Sequence, residues 1–147
     1  MHCTVSVDVN APAEAAWAAA SDIHNAAGRI PAITRLEVLP GPRSGVGMRW
    51  RETRVMFGRE ATETMEIAEW SPPHSYVATA CSHGCEYRST VSVTPTGAGC
   101  TLSIRFEGRP LTVVAKVMSV LMAPLAGRAV RHALIQDLQA IKRFTER

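Results

Sequence analysis

The last quarter of the chain constrains all that precedes it. From Leu111 to Arg147 the sequence reads as one long helix, with Val130, Leu134, Leu138 and Ile141 on one stripe and Ala133 and Phe144 at its edge. Arg128, Arg131, Gln139, Lys142, Arg143 and Glu146 fall on the opposite side, so one face is suited to burial and the other to water. Upstream, Val114, Val117, Met118, Leu121 and Leu125 form a second stripe that Val113, Val120 and Met122 widen, with Lys116 its only charge. Pro124 brings no N–H to the helix ladder and its ring clashes with the preceding turn, which predicts a kink or a break into two helices. A helix this apolar needs a cover.

The residues before it read as strands. Val5, Val7 and Val9 alternate with Thr4, Ser6 and Asp8, a half-buried strand. Asn10 or Ala11 then caps a short helix through Trp17 to about Ala20, with Pro12 suited to its first turn. A second short helix follows over Ile23 to Arg29. Further strands read over Ile33–Leu39, Met48–Arg54, Arg59–Trp70, Ser75–Ser82, Glu86–Thr94 and Thr101–Gly108, punctuated by Pro40-Gly41-Pro42, Gly45-Val46-Gly47, Ser71-Pro72-Pro73 and Pro95 to Gly99. Seven strands result, and the short turns joining the last six predict antiparallel pairing. The economical arrangement is α+β: a curled sheet of seven strands with the long helix across its concave side and two short helices between strands 1 and 2.

Composition fits one domain over residues 1–147, with a hydrophobic fraction of 46% and a charged fraction of 20%. Disordered and fibrous classes are excluded. No leader-like segment opens the chain and no apolar run approaches a membrane span, from which a cytoplasmic location is expected. The net charge of +3 is uneven: from Leu111 onward six Lys or Arg stand against two acids, and the rest carries ten against eleven. That basic helix face could meet an anionic membrane or partner, or simply be solvated; no aromatics interleave with it as nucleic-acid binding would require. Cys3, Cys81, Cys85 and Cys100 read as reduced thiols. Cys81-Ser82-His83-Gly84-Cys85 offers three ligands where a structural zinc site uses four, so neither a metal nor a cofactor is expected.

In its order of elements the chain resembles the START-like superfamily, also called SRPBCC, with the helix-grip fold, and its small bacterial polyketide cyclase/dehydrase-type members. The landmarks are Val9-Asn10-Ala11-Pro12-Ala13-Glu14-Ala15-Ala16-Trp17 followed by Ser21-Asp22, then Val46-Gly47-Met48-Arg49-Trp50, Ser71-Pro72-Pro73 after an acidic strand, and Asp137-Leu138 in the last helix. The likeness extends over essentially the whole chain. It implies a deep cavity between sheet and helix, a feature the superfamily uses for sterols, lipids, polyketides, plant hormones and quinones. Fold likeness selects no single reaction.

Polar residues whose periodicity points them inward are the candidates for such a cavity. Asp137 lies within the stripe of Val130, Leu134 and Ile141, where a carboxylate must be paired, hydrogen-bonded or protonated. It reads as a cavity acid or ligand anchor, or as the structural acid that the superfamily often has before this leucine. Glu52 and Arg54 share a strand face with Met48, Trp50 and Met56, and Glu63 is in step with Ala61, Met65 and Ile67. Arg54 paired with Glu52 or Glu63 would orient a carbonyl or enolate, unless the pair is an ordinary cross-strand one, and a bulge would invert the whole assignment. Tyr87 points with Ser89 and Val91, its hydroxyl available to a ligand. Trp50, Met65, Met118 and Met122 complete the candidate contacts; methionine suits an adaptable pocket, although Met65 and Met118, like Trp17 and Trp70, read first as core. His74 and His83 sit at strand ends, and no nucleophile elbow, phosphate loop or HExxH motif occurs.

Two functions follow from different classes. One is binding or transport of a small hydrophobic molecule, whether lipid, polyketide, quinone or aromatic, with the apolar half around Val114 to Leu125 covering the cavity and Pro124 as hinge. The other is a polyketide cyclase/dehydrase-type enzyme using the cavity arginine and carboxylates. A transient membrane or anionic-partner contact through the basic helix, and a homodimer, stay open.

Overall fold

Alternation of apolar and polar residues gives seven strands, and the short helices between the first two form an elbow. The computed structural model describes residues 2–56, 58–82 and 84–147; the side chains of Met56, Ser119 and residues 122–126 lie outside that description. The strands are β1 (His2–Val9), β2 (Ile33–Val38), β3 (Arg49–Met56), β4 (Arg59–Ser71), β5 (Ser75–Ser82), β6 (Cys85–Pro95) and β7 (Cys100–Pro110). Between β1 and β2 lie α1 (Ala13–Ala20), a 3-10 turn (Ile23–Asn25) and α2 (Ala26–Arg29), and α3 (Val113–Thr145) closes the chain. The α1 start differs in detail from expectation: Pro12 is the cap residue and accepts from Ala15 and Ala16 through its carbonyl, with no side-chain cap.

All seven strands form one antiparallel sheet in the order β1-β7-β6-β5-β4-β3-β2. Consecutive strands pair as hairpins from β2 to β7. The β1–β7 pairing, from His2↔Glu107 to Val9↔Cys100, joins the two ends of the strand sequence and is the one partnership that turn lengths alone do not reveal. The curled sheet faces α3, the helix-grip arrangement.

The apolar stripe of the second half of α3 makes the core. Leu138 is fully buried, and Ile141, Val5, Val9, Ile67, Leu102 and Ile104 surround it or lie in the same cluster. Burying a leucine this completely contributes on the order of 1.5–3 kcal/mol. Polar bonds tie the same half to β1: Lys142 Nζ donates to the Asp8 carbonyl at 2.7 Å, and Glu146 Oε2 accepts from Asn10 N at 2.7 Å. Part of the basic face therefore serves as a clamp.

The first half of α3 behaves otherwise. Thr112 caps it, its Oγ1 accepting from Ala115 N at 3.0 Å, and Leu111 N donates to the Gly84 carbonyl at 2.7 Å. Ala115 is buried there, whereas Val113, Val114, Val120 and Leu121 are 69–77% exposed. A single helix runs from Val113 to Thr145, so no division into two helices occurs; the side chain of Pro124 itself lies outside the described residues. Among the described residues, no helix is long and apolar enough to cross a membrane.

Candidate functional site

Small side chains leave room where sheet and helix diverge. On the inner face β5 carries Ala78 and Ala80 and β6 carries Ser89, while the elbow contributes Ala19, Ala20 and Ala26 and α3 contributes Ala133. The space they leave is a partly open cavity of about 320 Å³. That is at the lower end of the ~300–1,000 Å³ typical of small-molecule sites. A cavity of ~150 Å³ accommodates one benzene, so roughly two rings fit here.

At one end of this cavity the period of β3 gathers polar groups. Residues two apart on a strand share a face, so Trp50, Glu52 and Arg54 all point toward α3, and Asp137 meets them from the helix. Arg54 Nη2 and Nη1 lie 2.8 and 3.1 Å from Asp137 Oδ2 and Oδ1, a two-pronged pair, and Arg54 Nε lies 2.7 Å from Glu52 Oε2. Trp50 Nε1 donates to Glu52 Oε1 at 2.9 Å. One guanidinium thus serves two carboxylates, and the cluster carries one net negative charge. Glu52 is satisfied from both sides.

This arrangement sets the protonation of its members. Burial pushes the Asp137 carboxyl above its ordinary 3.8; Arg54 pulls it back, and the second negative charge on Glu52 pushes it up again. Burial alone would lower the Arg54 pKa, but Asp137 and then Glu52 outweigh it, and the guanidinium stays charged. Tyr76, buried on the same wall, is shifted upward by burial and by the charges of Glu52 and Asp137, so its phenol stays neutral and donates to the Ala20 carbonyl at 3.2 Å. The cluster offers a carboxyl able to hold a proton in an apolar wall, beside a fixed positive charge.

The other polar group on the wall comes from β4 and β6. Glu63 and Met65 both face the cavity, as does Tyr87, whose ring stacks on Phe106 at 5.5 Å between centroids. Burial, Cys85 and Glu63 together push the Tyr87 phenol up to about 12. The β3–β4 register is continuous from Arg49↔Glu66 to Met56↔Arg59, and the β4 irregularity falls between Ile67 and Glu69. A bulge there leaves the facing of Glu63 and Met65 intact.

Seven residues singled out in the sequence therefore meet at one cavity: Trp50, Glu52, Arg54, Glu63, Met65, Tyr87 and Asp137. Arg54 bonds across to α3 and along its own strand to Glu52, instead of pairing with Glu63. Met118 does not line the cavity; it is 51% exposed on the first half of α3. Met122 lies outside the described residues. The expected cover around Val114 to Leu125 is corrected as well: among the described residues, those of α3 at the cavity are Val130, Ala133, Leu134, Asp137 and Ile141, further along the helix, and the side chains from Met122 to Leu125 lie outside the described residues.

Tyr76, Asp22 and Arg29 also line the cavity and were not among the expected site residues. Tyr76 is inward by simple alternation with Ala78 and Ala80, a signal present in the sequence. Asp22 and Arg29 come from the elbow, where no period applies; they pair at 3.0 Å, and the Arg29 guanidinium sits 3.9 Å over the Phe144 ring.

Comparison with known proteins agrees with this architecture. The family described as "Polyketide cyclase / dehydrase and lipid transport" matches residues 1–144. The chain belongs to this family. Its solved structural relatives have the same helix-grip fold. A protein from Thermus thermophilus superposes with a TM-score of 0.82 at 18% identity, over 99% of this chain and 97% of that one. The Zhui aromatase/cyclase from Streptomyces sp. R1128 gives 0.76 at 18% identity, over 100% and 94%. Norcoclaurine synthase from Thalictrum flavum, in complex with dopamine and hydroxybenzaldehyde, gives 0.70 at 19% identity, over 98% and 85%. At these identities the likeness shows the fold. A search of curated protein sequences finds no match.

Proposed function

We propose that the protein binds a small hydrophobic molecule of about two rings in the cavity between the sheet and α3, with a polar substituent of that molecule directed at the Arg54 cluster or at Glu63. The observation that carries this reading is the cavity itself: an apolar space of about 320 Å³ framed by alanines and serine, with polar groups confined to a few places on its wall. Sites that orient a ligand have this composition. Family membership supports it, since the family's description names both cyclase/dehydrase activity and lipid transport. We read Trp50, Glu52, Arg54, Glu63, Met65, Tyr87 and Asp137 as the contacts.

A second reading, an enzyme of the cyclase/dehydrase kind, is favoured by one observation. The Asp137 carboxyl, raised by burial and held 2.8 Å from Arg54, can exchange a proton with a bound carbonyl or hydroxyl while the guanidinium offsets developing negative charge. The two readings separate on one variant: Asp137→Asn keeps binding and loses turnover only if the protein is a catalyst.

Native mass spectrometry of the freshly purified protein tests binding directly. A small organic adduct that is lost in an Ala133→Trp variant, whose indole fills the cavity, is the expected result. An adduct that persists unchanged in that variant would place the ligand elsewhere.

A further inference from the structure

The cavity wall holds a charge imbalance that the Arg54 cluster does not absorb. Four carboxylates face it, from Asp22, Glu52, Glu63 and Asp137, against the two guanidinium groups of Arg29 and Arg54. Asp22 occupies Arg29, and Glu52 and Asp137 together occupy Arg54. Among the described residues no side chain hydrogen-bonds or pairs with the Glu63 carboxylate. It is also the direct cross-strand neighbour of Glu52, a position where like charges repel. Half-buried at a cavity, this carboxylate is an acceptor waiting for a donor.

A second feature of the same wall attracts the same kind of group. The stacked rings of Tyr87 and Phe106 both line the cavity, and Tyr87 lies two strands across from Met65, the residue two positions beyond Glu63 on the same face of β4. Aromatic faces attract cations through the negative potential over the ring, and a carboxylate takes an N–H cation in a charge-assisted hydrogen bond. An anionic ligand finds the reverse, since both guanidinium groups on the wall are already engaged.

We propose that the cavity selects a protonated amine carried on an aromatic or alicyclic body of about two rings. Its ammonium group sits at Glu63 and the Tyr87–Phe106 pair, and its rings lie along the apolar wall formed by Ala78, Ala80 and Leu134. The matched carboxylate is rejected. This rests on the reading of the cavity as a ligand site and adds the charge class of the ligand. The overall charge of the chain, +3, works against nonspecific attraction of a cation, so a preference for amines would originate in the cavity.

Three indoles of equal ring size and different head group test it by titration calorimetry at neutral pH: tryptamine, tryptophol and indole-3-propionate. The expected order is tryptamine tightest, by about tenfold over tryptophol, with indole-3-propionate weakest. In Glu63→Gln tryptamine loses that advantage and binds no tighter than tryptophol binds to the same variant. Tryptamine binding no tighter than tryptophol, or keeping its advantage in Glu63→Gln, would overturn the charge selection while leaving the cavity reading in place, provided tryptophol binds and Ala133→Trp abolishes its binding. If none of the three binds at millimolar concentration, the cavity reading fails and the amine selection with it.

Discussion

Arg54 sits between two carboxylates, and that position makes its loss costly. Removing it leaves Asp137 buried at 8% side-chain exposure without its partner, a situation that typically costs 3–5 kcal/mol. Arg54→Met is therefore expected to lower unfolding stability by about 3 kcal/mol or more in urea titration, and Arg54→Met/Asp137→Leu to recover most of it. A single variant within about 1 kcal/mol of the parent would mean that the pair is far better solvated than the geometry implies. The Asp137 carboxyl gives an independent check. Its folded-state pKa is raised above 3.8, so the native state binds the proton more tightly than the unfolded chain, and the Asp137 contribution to stability is fullest below 3.8 and is lost as pH rises through the raised value. Carbon-13 titration of the carboxyl should place its midpoint above the ordinary aspartate range; a midpoint at or below 3.8 contradicts the account. Asp137 was legible in the sequence because an acid interrupts a helical stripe. Its partner choice was not, since Arg54 lies 83 residues away and strand periodicity reports a face without reporting who meets it.

At the scale of elements, α3 is two different halves in one helix. The half from Val130 to Ile141 packs on the sheet and is tied to β1, whereas Val113, Val114, Val120 and Leu121 stand exposed. Amides between 113 and 121 are expected to exchange with deuterium much faster than those between 130 and 141; equal protection would require a partner surface over the first half. Thr112→Ala removes the cap that Ala115 N uses and should cost about 1 kcal/mol of stability, with no change if the first turn already frays. The seven strands were legible because alternation and Gly or Pro turns mark them, and the continuous β3–β4 register keeps Trp50, Glu52, Arg54, Glu63 and Met65 on the cavity face, whereas Ala61, assigned to the same face, is exposed. The α3 cover was misread for a physical reason. Apolar periodicity says that a face avoids water, and it cannot say which stretch of a helix overlies the sheet.

For the whole molecule, the central feature is an unfilled space, and spaces are nearly silent in a sequence. Large inward residues such as Trp50, Ile67 and Leu102 announce a core; Ala78, Ala80, Ser89 and Ala133 make the hollow, and each alone reads as an ordinary small residue. Asp22, Arg29 and Tyr76 complete its wall from segments whose meeting depends on the β1–β7 closure and the elbow. The fold was thus legible in outline, the inward polar residues in part, and the shape of the cavity only from the packing of all elements together. The most direct test is a nitrogen-15 spectrum of the three tryptophan indoles during titration with the neutral two-ring probe 2-naphthol. Trp50 Nε1, hydrogen-bonded to Glu52 on the cavity wall, should shift saturably and more than the indoles of Trp17 and Trp70, which pack against Tyr76 and do not themselves line the cavity. A Trp50 resonance that stays fixed while surface amides shift would contradict a ligand cavity between the sheet and α3.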